Sequence, residues 1–360
     1  MKILFLPNWK VEYCAKKPED KQPPDYYIPN KPYWFFRYFD HQPEVDVLDI
    51  RSTNKIESFE QNKLRFYVWQ AIRAIPKLKK YDLIISHGMQ SGVVISLWRR
   101  LFKSDVKHIV FDIGAFNSAA ESGFALKLMQ FASKSIDGII YHTSSQKDYY
   151  KKFFPWIVDK SQFIRFGTDS EYFKNDNVND DQSEYQKPYC VCVGYNKRDW
   201  DTVVNAFVKA APKNLTLKMI GHVEPKYLNI AGIEQIDRIS IKALMKQISG
   251  SKFGILPLKS YNYSYGQMTL MQQMAMEKCV IAARVPSLVD YVRDGDNAVL
   301  YESENVEQLS DKINMVNENH ELRSEIGLKA RKFIENDCNE ITMARQIEMF
   351  VDKVVTNMEG

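Results

Sequence analysis

No G-x-G-x-x-G follows the first apolar segment, "MKILFLPNWK", so the glycine turn that brings backbone against a dinucleotide pyrophosphate is missing. G-x-x-x-x-G-K-[ST], H-E-x-x-H and G-x-S-x-G are missing as well, and "GMQSG" sets its serine in the wrong place for a nucleophile elbow. Dehydrogenases, P-loop enzymes and serine hydrolases drop out as first choices. The five cysteines, Cys14, Cys190, Cys192, Cys279 and Cys338, are scattered and odd in number. They show no metal-ligand spacing and no disulfide framework, which suits a reducing cytoplasm. No run is long enough to span a bilayer, and the N-terminal apolar stretch is too short for a signal peptide. There is no basic recognition helix and no RNA-binding aromatic motif, so nucleic acid is not an expected partner.

What is present is enough apolar sequence for two ordinary domains in 360 residues, 45% apolar against 26% charged. The net charge of +4 is uneven. Residues 1–170 carry 26 Lys and Arg against 18 Asp and Glu, or +8; the remainder carries 23 against 27, or −4. That asymmetry points the first half toward an anionic partner such as an anionic membrane surface. "KDYYKKFFPWIVDK" supports the idea by placing Lys147, Lys151, Lys152 and Lys160 among aromatics; a surface helix with core aromatics explains it equally well. The aromatic-rich stretch from Asp25 to Phe39 reads as an acceptor wall or as a loop packed on the core.

Short apolar runs alternate with helical patterns throughout. "KILFLPNW", "VDVLDIR", "YDLIISHG", "VKHIVFDIGAF", "IDGIIYHTS" and "SQFIRFGTD" read as strands. "SGVVISLWRRLF" reads as a helix with Ser91 as its N-cap. The chain turns polar and acidic in "DNVNDDQSEYQK", and then the rhythm restarts with "YCVCVGYN". This organisation predicts an α/β chain of two Rossmann-like domains: 1–168, a linker at 169–187, 188–340, and a helical tail at 341–360 crossing back to the first domain. Ligands of such sheets bind beyond the strand C-termini, so a cleft between the two sheets is expected to hold them.

"SYGQMTLMQQMAMEKCVIAA", Ser264 to Ala283, reads as loop, helix and strand, with Met268, Met271, Met274 and Ala275 on one helical face. The loop delivers Tyr265, Gly266, Gln267 and Met268 to a helix N-terminus, where free N–H groups favour an anion and Gly266 leaves room for its close approach. An ordinary helix–strand unit of an α/β core explains the same pattern.

Several stretches, in order along the chain, resemble the glycosyltransferase family four type: "IRFGTDSEYF", "VGYNKRDWDTVVNAF", "LKMIG" and "MAMEKCVIAARVPSLVDYVRDGDNAVLY" with its Asp294-Gly295-x-Asn297 turn. The resemblance covers the second half; the first half shares only the strand–helix rhythm. It implies a GT-B fold and a retaining glycosyltransferase that moves a sugar from a UDP- or GDP-type nucleotide-diphospho-sugar to a glycan or lipid-linked glycan. No metal or other cofactor is expected.

The resemblance also assigns roles. Lys197 and Arg198 would clamp the diphosphate beside Gly194, with Thr269 and the helix N-terminus at Gly266. Ile236 and Arg238 lie where the backbone meets the base. The family's Glu-x7-Glu positions fall here on Ser264 and Gln272, and neither is a glutamate. Gln272 can still bond a ribose hydroxyl. Asp112 is the preferred sugar-touching candidate in the first half, with His87 beside it; a capping or Asx-turn role explains each as readily. A GT-B sugar-nucleotide epimerase and a non-catalytic sugar-nucleotide-binding protein stay open as alternatives. The expected location is the cytoplasm, with a peripheral seat on the inner membrane face left open by the basic first half.

Overall fold

The computed structural model describes residues 1–18, 21–64, 66–114, 121–177, 187–194, 198–261 and 263–356. The chain forms two compact α/β units. Unit 1 comprises Met1–Arg165, Asn262–Tyr265 and Met343–Gly360; unit 2 comprises Phe166–Tyr261 and Gly266–Thr342.

Unit 1 is built on β1 (Lys2–Leu6), β4 (Glu44–Val47), β5 (Leu83–His87), β6 (Lys107–Asp112), β7 (Gly138–Tyr141) and β8 (Ser161–Phe163). They form one parallel sheet in the order β4-β1-β5-β6-β7-β8. A short pair, β2 (Glu12–Tyr13) and β3 (Tyr26–Tyr27), stands apart from it. β5 and β7 are buried along their whole length, as strands covered on both faces must be. α1 (Asn54–Phe59) and α2 (Val68–Ala74) follow β4, and α3 (Met89–Phe102) follows β5. α3 starts two residues before the expected cap. Gly88 at φ +96° makes the turn and accepts from the N–H groups of Ser91 and Gly92, leaving Ser91 buried inside the first turn. α4 (Phe124–Ser133) packs against α3, and α5 (Gln146–Phe153) precedes β8.

Each of the two aromatic stretches takes the second of its two readings. In the Asp25–Phe39 stretch, Tyr33, Trp34, Phe35, Phe36 and Phe39 are buried core, so they present no wall to an acceptor. In the Lys147–Lys160 stretch, Tyr149, Tyr150 and Phe154 join the core with Leu126, Met129 and Ile139. The four lysines stay outside, together with Asp148, Pro155 and Asp159.

Unit 2 repeats the plan with β9 (Tyr189–Gly194), β10 (Thr216–Gly221), β11 (Ile233–Ile236), β12 (Gly254–Leu256), β13 (Val280–Arg284) and β14 (Val299–Glu302). Its parallel sheet runs β11-β10-β9-β12-β13-β14. α6 (Trp200–Ala210) packs on α9 (Val306–Glu318), while α10 (His320–Asp337) packs on α8 (Gln267–Ala275); α7 (Ile241–Ser249) is capped by Ser240, whose hydroxyl accepts from Ala243 N at 3.3 Å. The Asp294–Asn297 turn is self-tied. Asn297 Oδ1 accepts from Arg293 N at 2.6 Å and Asp294 Oδ1 from Leu300 N at 2.8 Å, with Gly295 at φ +72°.

Of the expected linker, residues 178–186 lie outside the described residues. Residues 169–177 pack into unit 2, where Phe173 is buried and Arg331 donates to the carbonyls of Ser170 and Phe173 at 2.9 Å each. The last helix, α11 (Glu340–Thr356), belongs to unit 1 from Met343 onward. Its Glu348 accepts from the backbone N–H groups of Asp40 and His41 at 3.0 Å. Gly138 leaves room for Phe350 and Val354, since a Cβ there would stand 2.9 Å from Phe350.

Candidate functional site

Both sheets reverse direction of growth beside their first strand: between β1 and β5 in unit 1, and between β9 and β12 in unit 2. Ligands of open parallel sheets bind beyond the strand C-termini at such a switch point. In unit 2 this place is built by Arg198. The chain leaves β9 at Gly194, and Arg198 pairs back with Leu258, beyond the end of β12. Asp199 N donates to Pro257 O at 3.0 Å, and the Asp199 side chain caps α6 by accepting from Thr202 N at 3.2 Å and Thr202 Oγ1 at 2.6 Å.

The Arg198 side chain folds over Gly194. Its Nε donates to Val193 O at 2.8 Å and its Nη2 to Thr269 Oγ1 at 3.0 Å, so the loop after β9 is tied to the first turn of α8. A Cβ on Gly194 would fall 2.2 Å from Arg198 Nε. Gly194 therefore makes room for the arginine. Lys197 lies outside the described residues.

α8 opens on Gly266 at φ +84° with no side-chain cap. Its first-turn N–H groups and its positive dipole end face the same loop as Arg198. A Cβ on Gly266 would stand 2.6 Å from Leu258 Cδ1, so the glycine serves the turn and its packing. Met268 is 55% exposed and leaves the apolar face expected for it. The glutamines are buried instead: Gln267 donates to Ser287 O at 2.8 Å and Gln273 to Thr269 O at 3.1 Å. Gln272 is 6% exposed and makes no side-chain hydrogen bond among the described residues. Ile236 ends the edge strand β11, two strands from β9, and Arg238 follows it on the surface. The boundary between the units falls just before Gly266, so Ser264 and Tyr265 are assigned to unit 1, where the Tyr265 ring packs 5.3 Å from Tyr263.

The unit 1 candidates are enclosed. Asp112, at the end of β6, is fully buried. Its carboxylate accepts from Tyr150 OH at 2.6 Å, Gln146 Nε2 at 2.9 Å and Gly114 N at 3.0 Å. This is the Asx-turn reading, and it replaces the sugar-touching one: the carboxylate is committed to holding the turn. His87 sits among Trp9, Phe111 and Trp34, with ring centroids 4.8, 5.5 and 5.6 Å away. Burial, reinforced by His142, pushes its pKa down to about 3 and keeps it neutral. Both of its ring nitrogens are buried without a hydrogen-bond partner among the described residues, so the capped, satisfied reading does not hold for it.

Two features escaped the sequence reading. Asp199 carried a signal, an aspartate just before an apolar helical pattern. The grouping of Asp49, Arg51, Trp69 and Arg73 had none, because those residues meet only through the fold.

Residues 187–319 match the family model for glycosyl transferases group 1. An uncharacterized glycosyltransferase of Methanocaldococcus jannaschii is 23% identical over 307 residues, covering 77% of this chain and 82% of that one. Among solved structures, sucrose-phosphate synthase from Thermosynechococcus elongatus is similar with a TM-score of 0.69 and 15% identity, over 99% of this chain and 100% of that one. Anabaena HepE in complex with UDP-glucose is similar with a TM-score of 0.72 and 13% identity, over 98% and 100%. The two parallel-sheet units and these likenesses agree: the chain has the GT-B fold of a glycosyltransferase, and its residues 187–319 are similar to the glycosyl transferases group 1 family.

Proposed function

We propose that this enzyme transfers a sugar, with retention of anomeric configuration, from a nucleotide-diphospho-sugar to a glycan or lipid-linked glycan. The observation that carries the reading is the Arg198–Thr269 hydrogen bond at the switch point of unit 2. It fixes a guanidinium beside a helix N-terminus, the pairing suited to charge that grows on a departing diphosphate. Anabaena HepE holds UDP-glucose in the same fold, which supports a UDP-type donor. Gln272, buried and without a hydrogen bond among the described residues, has amide groups suited to a ribose hydroxyl. Cation chemistry on the diphosphate is assigned to Arg198 and the α8 amides, so no metal is part of the proposal. The location proposed is the cytoplasm, where such donors are made. A peripheral seat on an anionic membrane rests on exposed lysines alone, and would weaken as salt screens them.

The test is a thermal-shift screen with UDP, GDP and their sugars in EDTA, followed by NMR of the product anomer. A nucleoside diphosphate raises the melting temperature by mass action without added metal, and the product keeps the donor's anomeric configuration. Strict dependence on manganese, or an inverted product, would count against the reading.

A further inference from the structure

The loops leaving β1 and β4, with α2, line a shallow, open depression of about 410 Å³ at the C-terminal edge of unit 1. Its walls are aromatic: Tyr13 and Trp69 are 45% and 36% exposed. Its floor is charged. Asp49 is buried, and its carboxylate accepts from the backbone N–H groups of Val11 at 3.0 Å and Arg51 at 3.1 Å. The Arg51 guanidinium stands 3.5 Å from the same carboxylate and donates to Val11 O at 2.7 Å. Arg73 donates to the Asp49 carbonyl. Two guanidinium groups against one carboxylate leave the floor positive.

Arg73 Nε is buried with no hydrogen-bond partner. An unpaired guanidinium N–H is costly unless something accepts from it. Beside it, Thr53 precedes α1 without capping it, and Ser52 Oγ reaches an acceptor only at 3.5 Å. The depression thus combines aromatic walls, two hydroxyl-bearing side chains and a positive floor.

We propose that this depression binds a sugar carrying an oxyanion, either phosphate or carboxylate. The apolar face of the ring stacks on Tyr13 and Trp69, ring hydroxyls meet Ser52 and Thr53, and the oxyanion meets Arg51 and Arg73, whose forked donors match it. The assignment rests on the proposed transfer to a glycan, places that acceptor on unit 1, and narrows it to an anionic glycan.

Calorimetric titration of glucose 6-phosphate, glucuronate and glucose into the full chain tests it, with UDP titrated separately. At least one anionic sugar binds tenfold or more tightly than glucose, and the tighter of the two identifies phosphate or uronate. Arg73→Gln reduces that binding about tenfold. Trp69→Ala, at an exposed position, also weakens it, while UDP binding by both variants matches wild type and reports an intact fold. Equal binding of glucose, no binding of any of the three sugars, or wild-type affinity in both variants would overturn the proposal. Failure of wild type to bind UDP would instead sink the donor reading.

Discussion

Arg198, tied to the first turn of α8, and Gln272, in its second turn, are expected to fail differently when removed. Arg198 is placed to meet charge that develops during reaction, so Arg198→Ala lowers turnover on the order of 100-fold or more. Gln272 is placed to meet a hydroxyl that changes little, so Gln272→Ala mainly raises the donor KM, by about 1 kcal/mol of binding. Steady-state kinetics on both variants separates these outcomes, and a larger turnover loss in Gln272→Ala would reverse the assignments. Arg198 was legible in sequence because a basic residue directly after an apolar strand stays at the strand's end in any parallel sheet. Asp112 was misleading for the same reason. It too ends a strand, but its carboxylate is claimed by Gln146 and Tyr150, 34 and 38 residues away, and nothing local announces that.

At the scale of elements, the site helix depends on a glycine in its neighbour. Gly327 lies in the interior of α10, where helix propensity alone makes alanine better by about 1 kcal/mol. A Cβ there would fall 2.2 Å from the carbonyl oxygen of Glu277, just past the end of α8. Backbone cannot swing aside as a side chain can, so overpacking wins. Gly327→Ala is expected to cost about 1–3 kcal/mol, read by denaturant unfolding, with weakened UDP binding as α8 shifts. A stabilised variant would show that α10 can ride away from α8 freely. The strands themselves were legible, since a parallel strand buried on both faces writes itself as an unbroken apolar run, as "YCVCVG" does. The start of α3 was not. Gly88 could make the turn from β5 without a polar cap, and a rule that looks for serine passes over it. The α8 pattern misled because a helix enclosed nearly all round has no clean apolar stripe.

At the scale of the whole molecule, the two units are expected to differ in acid. His87, His108 and His142 all lie in unit 1 and are 6%, 0% and 1% exposed. Burial first, then nearby positive charge or another imidazole for His108 and His87, lowers their pKa values: to about 3 for His87, to about 4 for His142, and well below the ordinary range for His108. The unfolded chain takes up protons at these rings below about pH 6.5 while the folded chain does not, so stability is full above that pH and is lost as pH falls toward 4. At pH 5 each of His87 and His142 costs about 2 kcal/mol. Unit 2 has only exposed histidines, His222 and His320, among its described residues. Calorimetry from pH 8 to pH 4.5 is therefore expected to show a unit 1 transition that moves to lower temperature ahead of the unit 2 transition. Two transitions that fall together, or neither falling above pH 4.5, would contradict this.

The C-terminal helix adds a constraint of timing. Phe350 and Val354 fill the space over Gly138, and Glu348 holds the backbone at Asp40 and His41, yet all of unit 2 lies between these partners in the chain. On the ribosome, the first 165 residues emerge early but wait for that last segment, while unit 2 already has its own sequence to hand. The half of the protein made first is thus the half completed last. During that interval the β7 surface around Gly138 lacks the Phe350 and Val354 side chains that cover it in the finished fold.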